Sequence, residues 1–209
     1  MLNVGLTGGI ASGKSTVAGM LVKKGALLID LDALAHSVEE PESPVWRDIV
    51  RNFGTDILGA DRRIDRKKLG AIVFSDPQKM RLLSRLVHPA VHDAWQKRLD
   101  EIRKVNPRAV VLSDIPLLFE TGMEKMVDLV LLVYLPREKQ IARLVERNGL
   151  SRDEAEMRIA SQMPIDDKKL RADIVVSNEG TWEETQAALD GIWQELTRRG
   201  ELSDWQVEN

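Results

Sequence analysis

Apolar residues run along this chain in two rhythms. Short runs recur at Leu2-Val4-Leu6, Ala26-Leu27-Leu28-Ile29, Ala109-Val110-Val111-Leu112, Leu129 to Leu135 and Ile174-Val175-Val176, each closed by a polar or chain-breaking residue. Between them apolar positions fall at helical spacing: Val17, Met20 and Leu21; Val45, Ile49, Val50 and Phe53; Leu69, Ile72 and Val73; Met80, Leu83, Leu86 and Val87; Val91, Trp95 and Leu99; Leu189, Ile192, Trp193 and Leu196. Short, nearly continuous apolar runs suit strands buried on both faces, and their alternation with helical segments predicts an α/β fold with a central parallel sheet in three layers. Gly25 is placed to stop the first helix, and Pro136 to end the strand that reaches Leu135. Ser151 with Glu154, and Thr181 with Glu184, have the spacing of capping boxes. His88-Pro89 is predicted to start a helix, the last helix to stop at Gly200, and the tail to Asn209 to fray.

The rhythm changes twice. From Glu39 to Asn106 it is mostly helical and interrupted by Pro41, Pro44 and Pro77, which predicts a helical insertion over about residues 33–106. Between Arg137 and Gln162 the chain is charged and helical, with Arg143 and Arg147 one turn apart, and then Arg158 and Gln162. Arginines between two core strands suggest a lid, over about 137–165, that closes over phosphates. A charged hairpin with no catalytic task is the plain alternative. The core then comprises about residues 1–32, 107–136 and 170–200 of a single domain.

The first strand runs into Gly8-Gly9-Ile10-Ala11-Ser12-Gly13-Lys14-Ser15, which fits G-x-x-x-x-G-K-[ST] in strand-loop-helix context. A polyphosphate needs inward backbone N–H groups, which glycines allow without Cβ clashes, and a helix N-terminus adds partial positive charge. Lys14 can reach the β- and γ-phosphates, the Ser15 hydroxyl can ligate Mg²⁺ and Thr16 can touch the α-phosphate. A nucleoside triphosphate with Mg²⁺ is the ligand this stretch implies. The motif alone does not choose between a kinase, a switch GTPase and a motor ATPase.

Composition narrows the choice. Hydrophobic residues make up 43% of 209, enough for a sizeable core in one domain with insertions. A formal charge of −3 argues against a general nucleic-acid or membrane-surface binder. With no cysteine, disulfides and thiolate metal sites are excluded, so a metal must be held by oxygen. No apolar run approaches a spanning helix and no leader precedes the phosphate loop, so cytoplasm is the default expectation.

Acids stand where the sheet should end. Asp30 and Asp32 follow the second strand; if the backbone stays extended both carboxylates address the phosphate loop, and one can serve as base for an acceptor hydroxyl. The alternative is that one merely caps the next helix. Asp114 ends the third strand and can hold Mg²⁺, directly or through water, or else order the loop Ile115 to Glu120. That loop is unusually apolar and is expected to pack against the acceptor. Arg62, Arg63, Arg66, Lys67 and Lys68 form a basic cluster, either a solvated face or a source of an arginine for a phosphorylated substrate. Asn178, at the end of the last strand, can read an adenine edge or turn the chain.

Assembled, the pattern resembles dephospho-coenzyme A kinases over nearly the whole chain. The stretches that carry the likeness are Gly5 to Ile10 with Ser12 to Thr16, Asp30-Leu31-Asp32, Phe53-Gly54, Arg66 with Leu69, His88-Pro89, Asp114 to Glu120, Gln140, Arg143, Arg147, Gln162, and Ala172-Asp173 with Asn178. The resemblance implies a P-loop kinase with an inserted acceptor-binding subdomain and a helical lid. It implies transfer of the ATP γ-phosphoryl group to the 3′-hydroxyl of dephospho-CoA, the last step of coenzyme A biosynthesis, by a monomer or weak homo-oligomer. By carry-over, Lys14, Asp32 and Arg143 resemble the catalytic set, with Asp32 as base. Ala11, Ser12, Gly13, Lys14, Ser15, Thr16, Arg143, Arg147 and Asn178 correspond to the nucleotide site. Asp32, Arg66, His88, Leu117 and Glu120 correspond to the acceptor side, and Ser15 with Asp114 to the Mg²⁺ site. Ala11 stands where glycine is usual, which is tolerable if its φ is negative; His36, Arg62 and Asp65 replace a frequent arginine, glycine and asparagine. Two rivals are a kinase of nucleosides or nucleotides and a nucleotide switch. Asp56-Ile57-Leu58-Gly59 matches D-x-x-G, yet it does not follow a predicted strand and no N-K-x-D accompanies it.

Overall fold

The computed structural model describes residues 1–202; the tail expected to fray up to Asn209 lies outside them. Its contacts divide the chain into two units, one of Met1–Ile29 and Ile102 onward, the other of Asp30–Glu101.

The first unit is built on a five-stranded sheet of β1 (Leu2–Gly8), β2 (Leu27–Asp30), β3 (Val110–Asp114), β4 (Leu129–Tyr134) and β5 (Ile174–Ser177), in the order β2-β3-β1-β4-β5. β1 pairs parallel with β3 and β4, and β4 with β5. Every residue of β1 is buried, the alternate positions Asn3, Gly5 and Thr7 as well as Leu2, Val4 and Leu6, as suits a strand covered on both faces. Leu2, Val4 and Leu6 face the same side as Val110, Leu112, Leu129, Leu131, Val133 and Val176, against α1 (Lys14–Lys24) and α9 (Trp182–Leu202). Because β1 is flanked by strands that follow it at a distance in sequence, the chain reverses its winding there, and ligands of such sheets bind at that crevice. The registers Leu6↔Asp114 and Gly8↔Val133 bring the carboxyl ends of β3 and β4 beside the loop that leaves β1.

α6 (Arg137–Asn148) and α7 (Arg152–Ala160) follow β4 and share the cluster of Ile141, Leu144 and Ala155, onto which Ile10 and Ala11 pack. The capping box of α7 is present in full, Ser151 accepting from the Glu154 N–H while the Glu154 carboxylate accepts from the Ser151 N–H. α8 (Ile165–Arg171) packs on β4 and has no counterpart in the apolar rhythm, since its buried residues are Ile165 and a lysine, Lys168. α9 runs on through Gly200 to Leu202 rather than stopping there. Gly200 is buried with the Arg108 carbonyl oxygen 3.3 Å from where a Cβ would stand, so it provides close approach, not a cap.

The second unit holds α2 (Leu31–Val38), α3 (Pro44–Phe53), α4 (Arg66–Phe74) and most of α5 (Pro77–Val105). Its core is Val45, Ile49, Ile57, Leu69, Val73 and Val87. Here an open alternative is decided and one expectation fails. The chain does not stay extended past Asp30: α2 begins at Leu31, and Asp30 is its N-cap, accepting from the Ala33 N–H at 3.0 Å. The orphan amides of a helix start outcompete one more extended residue, so Asp30 and Asp32 do not share a strand face. Likewise His88-Pro89 starts no helix, because both lie inside the continuous α5. An interior proline costs about 3 kcal/mol, and here apolar contacts on both sides of it, from Val87, Ala90 and Val91, offset that cost. Asp56 to Gly59 lies in a 3-10 turn over Thr55–Ile57 and an isolated Leu58–Ile64 bridge, so the D-x-x-G match has no strand before it.

Candidate active site

The loop between β1 and α1 takes its shape from two glycines with different tasks. Gly13 has φ 91°, and a Cβ on it would run into the Asn178 amide. Gly9 provides room instead: a Cβ there would lie 2.7 Å from Gln140 Oε1. Ala11 adopts φ 59°, so the expectation of a negative φ is wrong. The loop keeps the left-handed turn a glycine would make, at a cost of about 1–2 kcal/mol, because its neighbours hold it on both sides. Arg62, the other residue at a glycine-like position, also has positive φ, 65°.

Those holding contacts come from α6, the helix after β4, and from the residue that follows β5. The Arg143 guanidinium donates to the carbonyl oxygens of Ala11 at 3.3 Å, Ser12 at 3.4 Å and Asn178 at 3.1 Å. Asn178 Nδ2 donates to the Ser12 carbonyl at 2.7 Å, while its Oδ1 accepts from the Thr185 hydroxyl at 3.2 Å. The amide is thus engaged at both ends and braces the loop from below. Gln162, beyond the end of α7, accepts from the Ile10 N–H at 3.0 Å, and Gln140, buried on α6, donates to the Leu135 carbonyl at 2.7 Å. Arg147 is exposed and donates to the Asn148 side chain, away from Arg143's partners.

Positive charge enters at the helix start. Lys14 Nζ forms an ion pair with the Asp114 carboxylate, joining the first residue of α1 to the last of β3. The Ser12 hydroxyl is buried without a hydrogen-bond partner, an orphaned donor inside the loop. Ser15 and Thr16 are exposed at the N-terminus of α1. A nucleotide polyphosphate with Mg²⁺ fits this donor set: a loop without Cβ atoms where room is needed, an unpaired buried hydroxyl, a lysine, and an α1 start with no acidic residue in its first turn. Among the described residues no three His, Asp or Glu side chains gather as a metal cluster. Beside a nucleotide, Mg²⁺ takes phosphate oxygens and water together with few protein ligands, and one carboxylate and one hydroxyl, which Asp114 and Ser15 can supply, suffice as the protein's share.

The loop after β3 turns its apolar residues inward: Ile115, Leu118 and Phe119 are buried, and Leu117 is exposed. Glu120, at its end, accepts from the Met163 N–H at 2.9 Å and pairs with Lys168 at 2.8 Å. Burial pushes the Glu120 carboxyl up, but the Lys168 ammonium and the Met163 N–H together hold it below the usual carboxylate range.

The second unit presents its own candidates. Asp32 is exposed in the first turn of α2. Arg66, first in α4, donates to Glu39 at 2.8 Å. Burial raises the Glu39 carboxyl, against the pull of Arg66 and His36. Arg62 and Arg63 pair with Glu42 and Glu40 at 2.5 and 2.6 Å, so this part of the basic cluster is an ion-pair row. His88 is exposed on α5. Sequence reasoning missed Lys168, whose only signal is a lysine in a charged stretch, and Thr185, which fixes the Asn178 amide.

Known proteins agree with this arrangement. The family model described as dephospho-CoA kinase matches residues 2–184. The chain is 54% identical over 202 residues to the dephospho-CoA kinase of Syntrophus aciditrophicus, covering 97% of this chain and 86% of the relative. It is 49% identical over 195 residues to that of Geobacter metallireducens, covering 93% and 96%. Among solved structures, the dephospho-CoA kinase of Campylobacter jejuni superposes with a TM-score of 0.73 at 27% identity, covering 94% of this chain and 97% of that one. With the phosphate loop, its braces and the whole strand order in place, the chain belongs to the dephospho-CoA kinase family.

Proposed function

We propose that this family member transfers the γ-phosphoryl group of ATP to the 3′-hydroxyl of dephospho-CoA by in-line displacement, with the residue roles that follow. That it is a phosphotransferase acting on dephospho-CoA rests on family membership. The roles rest on one observation above all: Lys14 of α1 and Asp114 of β3 meet at the mouth of a phosphate loop that Arg143 of α6 and Asn178, just after β5, brace.

Backbone amides from Ala11 to Thr16 and the Ser12 hydroxyl bind the donor phosphates. Lys14 already faces an anion in Asp114, and a phosphate oxygen offers it a second one, so its ammonium lies where negative charge develops during transfer. Ser15 and Asp114 would hold Mg²⁺, which, when bound, neutralises phosphate charge. Arg143 and Asn178 fix the loop and close the adenine side, and Arg147 adds positive charge from the lid over about 137–165. In the insertion, Asp32 accepts the proton of the attacking hydroxyl, and Arg66 and His88 are acceptor contacts; in the first unit, Leu117 and Glu120 of the loop after β3 are acceptor contacts. Asp32 is exposed in the first turn of α2, open to a substrate hydroxyl as a base must be.

The donor, acceptor and product are small molecules; no partner of another kind is needed. Among the described residues no helix is long and apolar enough to cross a membrane. Cytoplasmic residence as a monomer or weak homo-oligomer completes the proposal. Asp32→Asn tests the base: kcat is expected to fall by roughly a hundredfold or more with the ATP KM little changed, and near-wild-type turnover would remove Asp32 from that role.

A further inference from the structure

We infer that Lys168 of α8 is a positioning residue for the acceptor side of the site, acting through the loop from Ile115 to Glu120. This rests on the reading of that loop as an acceptor contact.

Lys168 is a fully buried lysine, an arrangement that persists only when the ammonium is paired and hydrogen-bonded. Its Nζ pairs with Glu120 Oε1 at 2.8 Å and donates to the Pro116 carbonyl at 3.4 Å, so one ammonium holds both ends of the loop. The same Pro116 carbonyl accepts from the hydroxyl of Thr7, the buried residue just before Gly8, at 3.2 Å. Glu120 Oε1 also accepts from the Met163 N–H, next to the Gln162 whose side chain takes the Ile10 N–H. A second cation of α8 grips the same segment: the Arg171 guanidinium lies 4.6 Å from the Phe119 ring centroid and pairs with Glu124 at 2.6 Å.

These contacts set where the loop can stand. Asp114 precedes it, Leu117 is its exposed apolar residue, and Ile115, Leu118 and Phe119 are buried beneath. An anchored loop presents Leu117 and Asp114 in one geometry. Loss of the ammonium removes the one donor that Glu120 and the Pro116 carbonyl share, leaving each end of the loop with only its separate partner, the Met163 N–H and the Thr7 hydroxyl, so the two ends are no longer tied to one point. Displacements of about an ångström in a substrate-holding element cost up to a hundredfold in rate. A buried ion pair adds little net stability compared with a well-packed apolar pair, so its worth here lies in fixing this loop.

The test compares wild type, Lys168→Met, Glu120→Gln and the double variant, with melting curves and with KM for dephospho-CoA and for ATP measured well below each melting midpoint. Lys168→Met is expected to lower the melting midpoint and to raise the dephospho-CoA KM at least tenfold, with the ATP KM within about twofold. The double variant, which leaves no unpaired buried charge, is expected to recover the melting midpoint but not the acceptor KM. A folded Lys168→Met or double variant with wild-type acceptor KM overturns the inference, as does equal damage to both KM values or loss of fold in both variants. Wild type that makes no coenzyme A from dephospho-CoA overturns the reading of the site instead.

Discussion

Ala11 carries backbone strain in the middle of the phosphate loop, with φ 59° and a carbonyl pinned by Arg143. Ala11→Gly removes the Cβ penalty while adding freedom to the unfolded chain, for a net gain of up to about 1 kcal/mol. A rise of a few degrees in the thermal midpoint is expected, about 2–4 °C per kcal/mol at this size; a drop would mean that the Ala11 methyl packing on the Ile141–Leu144 cluster outweighs the strain. The residues proposed to carry the chemistry, Lys14, Ser15, Asp114, Arg143 and Asn178, stand out in sequence because their types and spacing have few other uses. Conformation at single residues does not. Whether Ala11 sits at positive φ depends on Arg143 and Asn178, more than a hundred positions away, and whether the chain runs on extended past Asp30 or turns into α2 there depends on the cap bond to the Ala33 N–H.

Helix ends decide much at the next scale. Ser151 and Glu154 close α7 with reciprocal bonds, and the Ser151 N–H and hydroxyl hold the Glu154 carboxyl below the usual range. A carboxyl lowered on folding contributes stability above its unfolded pKa and loses it as pH falls through the folded value. Ser151→Ala is expected to weaken α7 by about 1 kcal/mol near neutrality, seen as several-fold faster amide hydrogen exchange in α7 with little change in β1. In acid the difference between variant and wild type should narrow; a constant difference would place the effect outside the Glu154 bond. The capping box, the strand runs and the helix stop at Gly25 were legible because local chemistry produces them. α5 and α8 were not. Pro89 reads as a start signal, and only burial on both sides of it shows why the helix continues. α8 hides its face because one of its two buried residues is a lysine whose partners, Glu120 and Pro116, lie some fifty positions earlier.

At the scale of the molecule, the strand order gathers separated segments at one edge of the sheet. The loop after Gly8, Asp114 after β3, Arg143 on the helix after β4 and Asn178 after β5 all lie at carboxyl ends of strands, so a single crevice collects them. A net charge of −3 fits this economy, since the cations the reaction needs are placed one by one and not spread over a face. The central claim is that this crevice moves a phosphoryl group from ATP to dephospho-CoA and that Lys14 carries charge in the transfer. Its most direct test is ADP release from purified protein with Mg²⁺ and ATP, with and without dephospho-CoA, with chromatographic detection of the 3′-phosphorylated product. ADP and coenzyme A are expected in equal amounts, only with acceptor present, and a loss of roughly a hundredfold or more in Lys14→Ala. Acceptor-independent ADP release, or coenzyme A formation undiminished in Lys14→Ala, would contradict the account.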